Sequence, residues 1–185
     1  METLEQTKRN VADLHWVVTL LTGSREIATD VTFRAIAPTQ DENAFSTWMQ
    51  GWSRRIAIAK AVTAVREELA QSARHAESTS GENSELPPQS WTLDWNTTRP
   101  DLERALLMID LFPRAAVLLL LFERVPLNDA AILLDSEPDL IRKALAAGVR
   151  ELTINLARMQ GWKSNGSGSN TQREEPHVRA TEIAS

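Results

Sequence analysis

The chain has 185 residues, enough for one ordinary domain or two small ones. At 42% hydrophobic and 24% charged residues it has the composition of a protein that can bury a core. The lack of cysteine excludes disulfides and thiolate metal sites, while a net charge of −5 and a pI near 5.3 argue against binding nucleic acid over the whole surface but allow a local basic patch.

The N-terminal stretch METLEQTKRNVADLHW lacks the basic-then-apolar build of a signal peptide. The longest apolar run, Ala115 to Phe122, is far short of the roughly 20 residues that cross a bilayer. A cytoplasmic protein with no membrane partner is expected. Composition then divides the chain into four parts: a helical block over 11–76, a polar linker over 77–100, a second helical block over 101–162 and a disordered tail over 163–185. No internal repeat is visible, and strand-type alternation is absent, so the expected fold class is all-α.

Within the first block, SREIATDVTFRAIA predicts a helix with Ser24 as N-cap after Gly23, and with Ile27, Val31, Arg34 and Ala35 along one side. The longer stretch NAFSTWMQGWSRRIAIAKAVTAVREELAQSA predicts one long helix. Its apolar stripe is Phe45, Trp48, Trp52, Ile56, Ala59 and Val62. Phe45 and Trp48 read as core, whereas Trp52 is open to either role. In the linker, Trp91 and Trp95 are candidates to dock on a neighbouring domain.

The second block predicts three to four helices. Leu102, Ala105, Leu106 and Ile109 form the first stripe. Pro113 opens a second helix whose apolar run is nearly all buried. Pro126 suits the first turn of a third, with Ala130, Ala131, Leu133 and Leu134 facing the core. Pro138 and Asp139 begin a fourth, carrying Ile141, Leu145, Val149, Leu152 and Leu156. The last two helices, joined by DSE, have the spacing of a helix-turn-helix.

Three segments are candidates for chemistry. The helix beginning near Asp139 must present polar side chains to a DNA groove if it reads bases. Between Ser136 and Lys163 there are five bases (Arg142, Lys143, Arg150, Arg158, Lys163) against three acids, a local net of +2. The rival reading is an ordinary helical hairpin with solvated charges. FSTWMQGWSRRIAIAK combines Trp48 and Trp52 with Arg54, Arg55 and Lys60, the aromatic and basic ingredients of a single-strand binder. Its rival is a core stripe with exposed arginines. Around Asp30, the acids Glu26 and Asp30 are flanked by Arg25 and Arg34, either a docking face or local ion pairs.

His15, His75 and His177 are isolated, and Glu67 and Glu68 are adjacent and so point in different directions on a helix. No enzyme, cofactor, metal site or small-molecule substrate is expected.

The order of these motifs resembles the extracytoplasmic-function group of the sigma-70 family, bacterial RNA polymerase initiation factors with two small helical domains joined by a linker. LFPRAAVLLLLFERVPLNDAAILLDSEPDLIRKALAAGVREL is similar to the family's fourth region without gaps. Ala131, Leu134, Ile141, Arg142, Leu145 and Leu152 keep the pattern, while Asp135 stands at its glycine, Leu140 at its threonine and Ala144 at its second arginine. LLTGSREIATDVTFRAI and FSTWMQGWSRRIAIAKAV are similar, more loosely, to its second region. Phe33 and Arg34 there replace a Gln-Glu pair, and Arg55 replaces an asparagine. The resemblance spans about Leu14 to Arg158.

The resemblance implies a sigma region 2-like bundle, a polar linker and a region 4-like helix-turn-helix. It implies promoter DNA and core RNA polymerase as partners, with an anti-sigma factor as a further one. Ser136, Asp139, Leu140, Arg142 and Lys143 would meet a −35-type element. Trp52, Arg54, Arg55 and Lys60 would meet a −10-type element, and Glu26, Asp30, Phe33 and Arg34 would dock on polymerase. The alternative is a degenerate sigma-like module that binds polymerase or an anti-sigma partner without reading promoters.

Overall fold

The computed structural model describes residues 4–36, 46–78 and 85–162. Among them all regular structure is helical: α1 (Leu4–Thr22), α2 (Arg25–Ile36), α3 (Ser46–Ala64), α4 (Arg66–Ser78), α5 (Arg99–Leu107), α6 (Leu111–Val117), a π-helical turn (Leu118–Phe122), α7 (Leu127–Leu134) and α8 (Pro138–Met159). The all-α expectation is met. Phe45 and the tail 163–185 lie outside the described residues, as do the side chains of Trp48 and Trp52. No described helix is long and apolar enough to cross a membrane.

Local chemistry explains several helix ends. α1 stops at Gly23, which takes a φ of +66° that suits a residue without Cβ. Ser24 then accepts the Ile27 N–H at 3.4 Å, the cap expected for α2. α5 begins with a capping box, in which Asp101 N–H donates to Thr98 Oγ1 and Thr98 N–H donates to the Asp101 carboxylate. Those hydrogen bonds from Thr98 hold the Asp101 carboxyl below its ordinary pKa. Pro138 starts α8, where its missing N–H has no intrahelical partner to lose. Pro126 instead sits just before α7, as its N-cap.

Several expectations are corrected. The long helix of the first block is two helices, because the Val65 N–H is shared between Ala61 O and Val62 O at 3.3 Å each and the chain turns there. The buried side of α2 is Ala28, Val31, Thr32 and Ala35, while Ile27 and Arg34 are exposed. On α3 the buried set is Ala57, Ile58, Ala61 and Val62, leaving Ile56 exposed and Ala59 half-buried. The apolar run after Pro113 is buried only as far as Leu119. The Glu123 N–H bonds back to Leu118 O, five residues earlier, and this wider turn leaves Leu121 and Phe122 at the surface. Leu133 is half-buried and Val149 exposed. Trp95 is 91% exposed and docks on nothing among the described residues, whereas Trp91 is half-buried.

The apolar side chains of both halves form one cluster, from Leu14 on α1 to Ala144 on α8. α1, α2 and α3 pack on one another, α8 packs on α5, α6 and α7, and α4 lies along α6. The joint between α4 and α6 is polar as well as apolar. Ser72 Oγ accepts the Phe112 N–H at 2.9 Å, which satisfies an orphan donor in the first turn of α6. Arg114 is buried nearby and donates to Leu107 O (3.2 Å) and Ile109 O (3.0 Å), satisfying carbonyls at the end of α5. Burial pushes the Arg114 pKa down, against the opposing pull of Asp110 and Glu68.

Candidate nucleic-acid interface

The turn between α7 and α8 is built by Asp135, which takes a left-handed φ of +50°, a conformation that short polar side chains tolerate better than most. The Ser136 N–H then returns to Ala131 O at 3.1 Å and closes α7. From this turn α8 leaves with Ile141 and Ala144 buried against the core and with Asp139, Arg142 and Lys143 exposed; Ser136 and Leu140 are half-buried. Ala144, where the family pattern has an arginine, is 2% exposed, so this site has no room for a long cationic side chain.

At 3.6 residues per turn, Asp139, Arg142, Lys143, Ala146 and Arg150 fall within an arc of about 100° on the side of α8 away from the core. The sign of that arc is positive, with three cations and one carboxylate. Arg142 is paired to Asp139, one turn before it, and both side chains are solvent-exposed. A surface pair of this kind contributes only about 0–1 kcal/mol, so a phosphate can take the guanidinium. Arg150 is half-buried, and Arg158 is exposed beyond the arc.

The cationic segment of α3 is arranged differently. Arg55 and Lys60 are exposed, but Arg54 is only partly so. Its guanidinium makes a bidentate pair with Glu123, Nε to Oε2 at 2.6 Å and Nη2 to Oε1 at 2.5 Å. The Glu123 side chain is 6% exposed. This hydrogen bonding raises the Arg54 pKa above its ordinary value, with burial opposing it. Arg54 is therefore engaged across the molecule, by a carboxylate 69 residues away.

The third group lies on α2. Phe33 is 72% exposed, Glu26 is exposed, and Asp30 pairs with Arg34 at 2.9 Å in the i, i+4 geometry of helix-surface ion pairs. The flanking Arg25 reaches Glu103 on α5 at 3.5 Å.

Sequence reading missed the residues that bring the two halves together. Trp16 on α1 donates its indole N–H to Glu103 at 3.2 Å and carries the Arg99 guanidinium 4.6 Å above its ring, while Arg99 also pairs with Asp13 at 2.9 Å. At the opposite joint, Arg66 at the start of α4 pairs with Asp135 in the α7–α8 turn at 2.7 Å. That pair sets the α3–α4 junction beside the turn that precedes α8. No local signal could have exposed these contacts, since periodicity reports which face is buried and not which distant residue covers it.

Searches of protein-family models, curated proteins and solved structures find no match to this chain.

Proposed function

We propose that this chain is a sigma-like transcription initiation factor, built from two small helical units that share the core described above. It would act in the cytoplasm with core RNA polymerase and promoter DNA as partners, and an anti-sigma factor as a regulator. The observation that carries this reading is the arc of exposed Arg142 and Lys143 with half-buried Arg150 on α8, entered through a tight left-handed turn and backed by Ile141 and Ala144. A major groove accepts one helix, and cations in its first turns reach phosphates and guanine edges. Ser136, Asp139 and Leu140 frame the start of that helix. On this reading α3 meets a −10-type element through Trp52, Arg54, Arg55 and Lys60. The exposed side of α2, with Glu26, Asp30, Phe33 and Arg34, meets polymerase. No catalytic group of its own is needed, because the polymerase supplies the chemistry.

Run-off transcription with core polymerase tests the reading helix. Arg142→Ala and Lys143→Ala are each expected to lower promoter-dependent product about tenfold, the effect of losing roughly 1.4 kcal/mol of contact. Product unchanged by both substitutions would remove α8 from the DNA.

A second reading is favoured by one specific observation. Arg54 and Arg142 both already face carboxylates, Glu123 and Asp139, which leaves few unpaired cations for a promoter. A sigma-like module that binds polymerase or an anti-sigma partner without reading DNA has the same scaffold. It would co-purify with its partner yet give no run-off product.

A further inference from the structure

The ion pairs that join the two halves share a polarity. Cations from residues 4–78 meet acids from residues 85–162 in Arg25–Glu103, Arg54–Glu123 and Arg66–Asp135, while Asp13–Arg99 runs the other way. Two of these cations flank one stretch: Arg54 in the middle of α3 and Arg66 at the start of α4. Their acids come from two short connections, Glu123 from the segment after the π turn and Asp135 from the α7–α8 turn. Both connections carry a left-handed residue, Arg124 at φ +53° and Asp135 at φ +50°.

We propose that Glu123 and Asp135 are built-in competitors for nucleic-acid phosphate. They hold Arg54 and Arg66 in the free protein, and a phosphate backbone lying along α3 and the start of α4 must displace them in order to bind. The proposal rests on the reading that α3 meets DNA, and it adds a self-regulating step to it. A tethered carboxylate competes at high effective concentration, so it weakens binding by the fraction of time it holds its arginine. Displacement costs little at Asp135 and Arg66, which pair at the surface (side chains 76% and 66% exposed), and more at Glu123, whose side chain is 6% exposed and loses its partner.

The test uses the full chain and a short fluorescein-labelled deoxythymidine oligonucleotide, titrated at several salt concentrations. Glu123→Gln keeps the shape of the buried side chain, and Asp135→Asn keeps a residue that accepts a left-handed φ. The double variant is expected to bind about fivefold more tightly. The slope of log K against log salt is expected to stay close to the wild-type slope, because both proteins neutralise the same phosphates once bound. Adding Arg54→Ala and Arg66→Ala should abolish the gain; a gain that survives them would overturn the proposal, because it would come from loosened structure. Should the Glu123→Gln chain fail to fold by circular dichroism, Asp135→Asn alone still tests the idea, since that surface change must tighten binding at low salt about twofold. Wild-type binding as tight as that of the double variant sinks the competitor role and leaves DNA binding by α3 standing. No binding by either protein at low salt sinks both.

Discussion

Phe112→Ala is expected to lower the unfolding free energy by about 3–5 kcal/mol, the range for truncating a buried aromatic ring. Phe112 is 1% exposed and belongs to the cluster that unites the two halves. It lies in the first turn of α6, and its own N–H is held by Ser72 of α4. Truncation therefore empties space at the joint between α4 and α6, where the hydrogen bond from the Phe112 N–H to Ser72 Oγ limits how far the helices can close. A domain of this size has only about 5–15 kcal/mol of stability in total, so the variant should sit near the edge of folding. Urea titration followed by circular dichroism measures the loss, and a loss under about 1 kcal/mol would show that the site repacks.

Gly148→Ala is expected to destabilise as well, although alanine is the better helix former by about 1 kcal/mol. A Cβ built at Gly148 would lie 2.7 Å from Pro113 O and 2.7 Å from Val117 Cγ2. The first contact is with backbone, so α6 and α8 must separate to admit one methyl group. Overpacking of this kind costs about 1–3 kcal/mol, enough to reverse the propensity gain. Ala146→Gly, two residues earlier and exposed, supplies the control, with an expected loss of about 1 kcal/mol from propensity alone. The account of the α6–α8 crossing is wrong if Gly148→Ala raises the melting temperature. It is also wrong if the variant melts as the wild type does.

The contrast between these two sites shows what the sequence could and could not convey. Helix starts were legible wherever a short polar residue or a proline marks them, as at Ser24 and Pro138, because capping is a local exchange between a side chain and the first turn. The break at Val65 was not legible. No glycine or proline stands there, and the turn arises where one N–H is split between two carbonyls. Gly148 marks a place where the backbone of α6 comes close, and nothing local in the sequence signals it. Faces were legible only in part. On α2 the covering helices select Ala28 and Thr32 over Ile27, a preference for close packing that hydrophobicity alone does not encode.

The candidate interface divides along the same line. Arg142 and Lys143 could be placed on an exposed face from spacing alone, since both lie on a helix whose opposite side is apolar. Arg54 could not, because its environment is decided by Glu123, 69 residues away. A docking role for Phe33 came only from the resemblance, and its 72% exposure leaves a large apolar ring in solvent beside the Asp30–Arg34 pair. Such a ring is the kind of anchor that protein interfaces use.

On the proposed reading, this scaffold works by joining core RNA polymerase, whether or not it then reads DNA. Gel filtration of the purified chain with core polymerase, free of other initiation factors, measures this directly. A stable complex of one chain per core, weakened by Phe33→Ala without loss of fold, is the predicted result. A chain that elutes alone at every mixing ratio would contradict the account.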